Sequence, residues 1–237
     1  MMDPLAPLLN LADIDSAVKG ARSAVDGAYR HGSLRRKGGQ VAAEVSLRCA
    51  VASASLESGE YQLEDVRSGI VLDPVVQGAL RVAEALPGLS QRWENAPRQV
   101  LAKLHVLAGT GILPTASLGR PDASLDRVCS YVVERCGDPL IRAAVVHGEL
   151  LALNAFPAVN GIVARAAARL TLVSSGLDPR GLVLVEEVHL ARQPEYVGAA
   201  GAFATGTPDG IRSWLKHYAL AVTLGAEAIA TVGDLVA

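Results

Sequence analysis

The chain has 237 residues, of which 50% are hydrophobic, 19% charged and 4% aromatic. Lys and Arg total 22 against 24 Asp and Glu, a formal net charge of -2, so no basic excess offsets phosphate charge and neither nucleic acid nor an anionic membrane surface is an expected partner. High apolar content with small net charge also excludes a disordered chain, and the length suits one large domain or a core with a modest extension.

In chain order, Met1 to Asp13 has a short apolar run without a basic n-region, so no signal peptide is expected. The stretch from His31 to Gly39 is polar and basic and reads as a solvated connection. Val75 to Leu86 and Ala96 to Leu107 follow helical periodicity. Gly109 to Pro121 holds three Gly and two Pro, which marks a loop or a small hairpin. Asp126 to Arg135 reads as a helix. After Pro139, Leu140, Ala144 and Leu151 share one helical stripe. Asn154 to Asn160 is a loop by its Pro and Asn content, and a second helix from Gly161 carries Val163, Ala166, Leu170 and Val173. Gly176 followed by Pro179 stops it. The Val/Leu run in Gly181 to Val188 fits a short strand or a helix equally. Gly210 to Leu220 and the segment through Ile229 are helical. Tyr218 to Ala237 is apolar enough for a membrane span, but Glu227 and Asp234 interrupt it, so a core helix or a subunit contact, as in a homodimer, is expected and no membrane span. No period of about 20 to 50 residues repeats. The fold class is all-α, with at most one small β-hairpin.

Generic chemical motifs are absent. There is no P-loop, no HExxH and no GxSxG. Gly109-Thr110-Gly111 lacks the third glycine and the βαβ setting of a dinucleotide fingerprint. The five histidines (His31, His105, His147, His189 and His217) have no metal-ligand spacing, so no metal site is expected. Cys49, Cys129 and Cys136 form no CxxC pair; a reducing, cytoplasmic compartment is the expectation.

One region is more specific. The run from His147 to Leu170 reads HGELLALNAFPAVNGIVARAAARL. It resembles the signature of the Fic/Doc family, H-x-F-x-[DE]-G-N-G-R-x-x-R, which lies between two core helices. On that pattern Asn154 stands at the catalytic His, Phe156 at the Phe, Ala158 at the Mg-binding acid and Val159 at the first Gly. Asn160 and Gly161 match, Ile162 replaces the first Arg, and Arg165 matches the last. His147 falls where many members also have a His. Arg192 to Tyr196 and Trp214 to Tyr218 are similar to the family's later helices. Upstream, Ser53-Ala54-Ser55-Leu56-Glu57-Ser58 resembles the inhibitory helix motif [ST]-x-x-x-E-[GN] of one Fic class, departing at Ser58. The resemblance implies a Fic-like (Fido) helical core over residues 91–237, an N-terminal helical segment over residues 1–90, and an inhibitory-type helix around residues 46–58.

In the family, the loop His is the general base for a target hydroxyl that attacks the α-phosphate of ATP, the acid holds Mg²⁺, and the GNG amides with the first Arg clamp phosphate. Asn154 cannot take a proton at neutral pH, and losing a positioned base costs about 10²- to 10⁴-fold. Ala158 cannot ligate a hard cation, Ile162 removes a phosphate donor, and Val159 restricts the backbone where Gly would approach phosphate. The resemblance therefore implies a catalytically degenerate member with no catalytic residue at Asn154, acting by binding a partner protein or a phosphate-containing ligand. The alternative is an active nucleotidyl or phosphoryl transferase of the AMPylator type, using rearranged residues. No cofactor is required on the first reading, although ATP or another nucleotide remains a candidate ligand. Asn160 and Gly161 at a helix N-terminus, with Arg165, are the candidate anion-binding residues; the other reading of Asn160 and Gly161 is an N-cap and a tight turn. His147 and Glu149 are either an alternative acid/base pair or structural groups. Glu57 and Arg165 are expected to pair at about 2.7–2.9 Å. The segment Gly109 to Pro121 stands where the family docks its target as an added strand, but Pro114 and Pro121 remove ladder donors.

Overall fold

The computed structural model describes residues 3–120 and 123–235. Eleven α-helices are formed among them: α1 (Ile14–Tyr29), α2 (Gly32–Ser58), α3 (Leu63–Arg67), α4 (Pro74–Trp93), α5 (Pro97–Gly109), α6 (Asp126–Val133), α7 (Pro139–Leu153), α8 (Asn160–Ser174), α9 (Val185–Ala191), α10 (Gln193–Ala204) and α11 (Pro208–Leu235). No strand is formed among the described residues, as an all-α chain requires.

The central pair is α7 and α8, packed against one another and enclosed by the rest. Local chemistry starts α7. The Asp138 carboxylate accepts from Leu140 N–H at 2.8 Å, and Pro139 fills a first-turn position that has no amide partner to lose. From Leu140 to Gly148 every residue of α7 is buried, and so is every residue of α8 from Asn160 to Leu172. Helices apolar on all sides belong inside, which is why these two form the axis. Helix α8 ends in two serines before Gly176, whose φ of 78° a side chain would resist. Around the axis, α1 lies along α11, α10 covers α11 and α7, and α4 bridges α2, α5 and α8.

Each apolar cluster takes residues from both sides of position 90. One joins Val18, Val41 and Cys49 to Leu140, Trp214 and Val222, and the other joins Val51, Val76 and Trp93 to Leu104, Phe156 and Leu170. The two tryptophans are fully buried with their indole N–H groups satisfied: Trp93 donates to Thr171 Oγ1 at 3.0 Å and Trp214 to Ala144 O at 2.7 Å.

Three expectations are revised. The polar run from His31 to Gly39 is the first part of α2, which breaks helical geometry at Lys37 (φ -128°, ψ 23°). The segment 181–184 is irregular, neither strand nor helix, and α9 follows; Leu184 N–H donates to Gly225 O at 3.3 Å, so it crosses α11 where Gly225 has no side chain to obstruct it. The segment after α5 is not a hairpin but a turn, with one isolated bridge between Thr110 and Leu113 and a 3-10 turn at Thr115–Ser117. Arg81 pins it, donating to Leu107 O at 3.0 Å and to Thr110 O at 2.7 Å; Pro121 lies outside the described residues. Helix α11 is long and apolar enough to cross a membrane by length and composition. Half of its most apolar stretch is buried, however, with Trp214, Tyr218, Val222 and Ile229 in the core, which is the placement of a core helix. Cys49, Cys129 and Cys136 are free thiols.

Candidate functional site

The signature loop is the link between α7 and α8, and α2 ends against it. Helix α7 stops at Asn154, which adopts the left-handed conformation (φ 45°, ψ 45°) with its side chain exposed. The chain then sinks Phe156 and Val159 fully into the core, while Ala158 stays exposed at φ 65°. Asn160 fixes this loop from inside: its Nδ2 donates to Leu150 O at 2.9 Å and its Oδ1 accepts from Phe156 N–H at 3.2 Å. It is therefore not an N-cap. The cap position belongs to Val159, which has no side-chain acceptor to offer the helix amides.

Glu57 supplies the missing acceptor from a distance of 104 residues along the chain. Its Oε1 accepts from Gly161 N–H at 3.3 Å, and its Oε2 accepts from Arg165 Nη2 at 3.0 Å. A carboxylate at the positive end of a helix is stabilised by both the unpaired amide and the dipole. Gly161 does not make a tight turn, since its φ is not positive. Its role is spatial: a Cβ there would collide with Glu57 Oε2 and crowd the Arg165 guanidinium.

Arg165 is held on all sides. Its Nε donates to Ser53 Oγ at 2.8 Å, Nη2 also donates to Ser53 O at 2.8 Å, and Nη1 reaches the Tyr196 hydroxyl at 3.4 Å. The side chain is 3% exposed and that of Glu57 17%. Burial works against the Arg165 charge, but Tyr196 and Glu57 outweigh it and its pKa rises above the ordinary arginine value. The Glu57–Arg165 pair thus forms at 3.0 Å, slightly longer than expected.

Beyond Arg165 the polar network runs into aromatic rings. The Tyr196 hydroxyl, which accepts from Arg165, also hydrogen-bonds His147 Nε2 at 3.0 Å, and His147 Nδ1 is buried without a hydrogen-bond partner among the described residues. Burial pushes His147 well below the usual histidine range, and Arg165 and His217 push the same way. His189 stacks on Tyr196 with ring centroids 4.3 Å apart and faces His217 Nε2 at 3.1 Å; burial also lowers its pKa well below the usual range. Glu149 points elsewhere, to Arg127 Nη2 at 2.6 Å. Residues two apart on a helix do not share a face, so His147 and Glu149 have different partners and do not meet.

The structure thus brings Glu57, Asn160, Gly161 and Arg165 together and leaves Asn154 outside on the surface. Asn160 points into the loop, and the donors of Gly161 and Arg165 are already engaged by Glu57. At the remaining signature positions, Ala158 has no donor oxygen in its side chain, and Ile162 is 2% exposed, packed in the core. Among the described residues no three His, Cys, Asp or Glu side chains converge as a metal site. Ala158 thus offers no side-chain metal ligand, and the Gly161 and Arg165 donors face Glu57.

Sequence reasoning missed two partners. Tyr196 links Arg165 to His147, and only its similarity to a later family helix drew attention to it. Arg169, one turn after Arg165, is buried in an ion pair with Glu186, and donates to Gly181 O and Val183 O, both at 2.9 Å, and to Cys49 Sγ at 3.0 Å. Its only trace in the sequence is an arginine among alanines.

No protein-family model matches the chain, and no curated protein matches it in sequence. Solved structures do. A Fic family protein from Desulfovibrio desulfuricans G20 superposes with a TM-score of 0.70 at 19% identity, over 98% of this chain and 76% of that one. Fic-1 (residues 134–508) from C. elegans gives a TM-score of 0.68 at 18% identity, over 95% of this chain and 75% of that one. The chain has the Fic fold.

Proposed function

We propose that this Fic-fold protein is a pseudoenzyme that acts by binding a partner protein, with its former nucleotide site closed by its own carboxylate. The observation that carries the reading is the position of Glu57, which engages Gly161 N–H and Arg165. These are the groups with which a helix N-terminus and an arginine would otherwise receive phosphate. Three further absences support it: no base at Asn154, no metal ligand at Ala158 and no clamp at Ile162. A fold kept whole around such a site leaves recognition as its use, and three free thiols suit a reducing, cytoplasmic setting.

A second reading rests on the same contact. If Glu57 is displaced, Gly161 N–H and Arg165 become free to hold a phosphate, and the protein becomes a sensor of a phosphate-containing ligand. Calorimetry separates the two. The wild type should give no heat with ATP or pyrophosphate, with or without Mg²⁺. Saturable binding of either by the wild type would reject the closed-site reading.

A further inference from the structure

Helix α2 carries Glu57 at one end of a face whose other residues do not pack tightly. Ala42, Ser46, Cys49, Ala50 and Ser53 recur at helical spacing on that face and form one wall of a cavity of about 340 Å³. The opposite walls are α4, with Val82, Ala83 and Leu86, and α8, with Ile162, Ala166 and Leu170. Alanines at 42, 50, 79, 83 and 166 make the space, since each stops at Cβ where a larger residue would close the gap. At about 30 Å³ for a water-sized group, the volume takes about ten such groups.

The lining is not uniform. Of its polar members, Arg169 and Glu186 are consumed by one another and by backbone carbonyls, Ser53 accepts from Arg165 and Ser90 donates to Pro87 O, which leaves the Ser46 hydroxyl. The free charge is at the rim. Arg180 is exposed, and its guanidinium rests on α2 at Gly38, next to the break at Lys37, where any Cβ would collide with it. A mostly apolar interior with, among the described lining residues, one unpaired cation at its edge selects a molecule with the reverse pattern, a hydrocarbon body and one anionic end.

We infer that the α2–α4–α8 cavity is a binding site for a medium-chain monocarboxylate, its chain of about ten carbons among the alanines and its carboxylate on Arg180. The site borders the Glu57–Arg165 contact through Ser53, which lines the cavity and accepts from Arg165, but it does not depend on the pseudoenzyme reading.

Decanoate, decanol and ATP should be titrated into the full-length protein by calorimetry. Decanoate should bind at one site per chain and more tightly than decanol. Arg180→Gln should weaken decanoate about three- to fivefold, as loss of an exposed charge pair does, and leave decanol unchanged. Ala83→Phe should abolish both; Ser46→Leu fills the same space from α2 and serves if the first variant does not fold. Crystals soaked with 10-bromodecanoate should show bromine density between α4 and α8. No binding of decanoate, equal affinity for decanol in the wild type, undiminished binding by a folded filled variant, or bromine density only elsewhere would each overturn the assignment.

Discussion

Replacing Glu57 by alanine removes a buried charge partner and the acceptor for the α8 amide in a single change. Breaking a buried ion pair by deleting one member costs about 3–5 kcal/mol, because the other charge is left uncompensated. Here Arg165 keeps its bonds to Ser53 Oγ and Ser53 O at 2.8 Å and its 3.4 Å contact with Tyr196, and the Glu57 side chain is 17% exposed, so water can enter where it stood. Those remaining partners lower the ion-pair loss to about 1.5–2.5 kcal/mol. The unsatisfied Gly161 N–H adds about 0.5–1 kcal/mol, in the range of a lost helix cap. The expected total is about 2–3.5 kcal/mol. For a chain of this length each kcal/mol lowers the melting temperature by about 2–4 °C, so Glu57→Ala should melt about 4–14 °C below the wild type. Glu57→Gln, whose single carbonyl oxygen can replace only one of the two acceptors while its NH2 faces the other donor, should recover only part of that loss. Scanning calorimetry with matched urea titrations gives both numbers. An unchanged melting temperature for Glu57→Ala would show that the pair is solvated in solution and that α2 is not tied to α8 through it.

Acid should destabilise the fold through His147 and His189, whose burial holds their folded pKa values well below 6.5. The unfolded chain then binds more protons below about pH 6.5, so stability is complete above that pH and falls as pH drops toward the folded values, by up to about 2–3 kcal/mol per pH unit for the two together. A melting temperature flat from pH 7 to 5 would contradict this. Arg169→Met alone should cost about 3–5 kcal/mol by leaving Glu186 buried without its partner, whereas Arg169→Met with Glu186→Leu should recover most of the loss in urea denaturation. Asn160→Ala should cost about 2–3 kcal/mol, since Leu150 O and Phe156 N–H both lose a buried partner; amide exchange should localise the opening to residues 154–160.

What could be read from the sequence was what short-range physics controls. The start of α7 at Pro139, the glycine stop after α8 and the apolar stripes between them are set by residues close in sequence, and all appear in the structure. Residues 31–39 did not follow composition: Leu34 is buried in the core, and the helix that they begin leaves helical geometry at Lys37. The Glu57–Arg165 contact was legible only through the two motifs that carry it, since periodicity cannot pair residues 108 apart. Asn160 was misassigned because a side chain beside a helix start can serve either the helix or the preceding loop, and here the buried Leu150 carbonyl decides for the loop. Arg169 and Glu186 left no signal at all: each is a common surface residue type, and only the fold shows that both are buried.

On the proposed reading, removing Glu57 opens the site without making it active, because no base, metal ligand or clamp stands at Asn154, Ala158 and Ile162. Incubating Glu57→Gly with α-labelled ATP, Mg²⁺ or Mn²⁺ and added protein, and resolving the products on a denaturing gel, tests this most directly. No labelled band should form on the variant or on any added protein, and Asn154→His in the same background should add none, since a base alone has neither a metal nor a phosphate clamp to align its substrate. A covalently labelled band from Glu57→Gly would contradict the account and identify an active transferase restrained by its own glutamate.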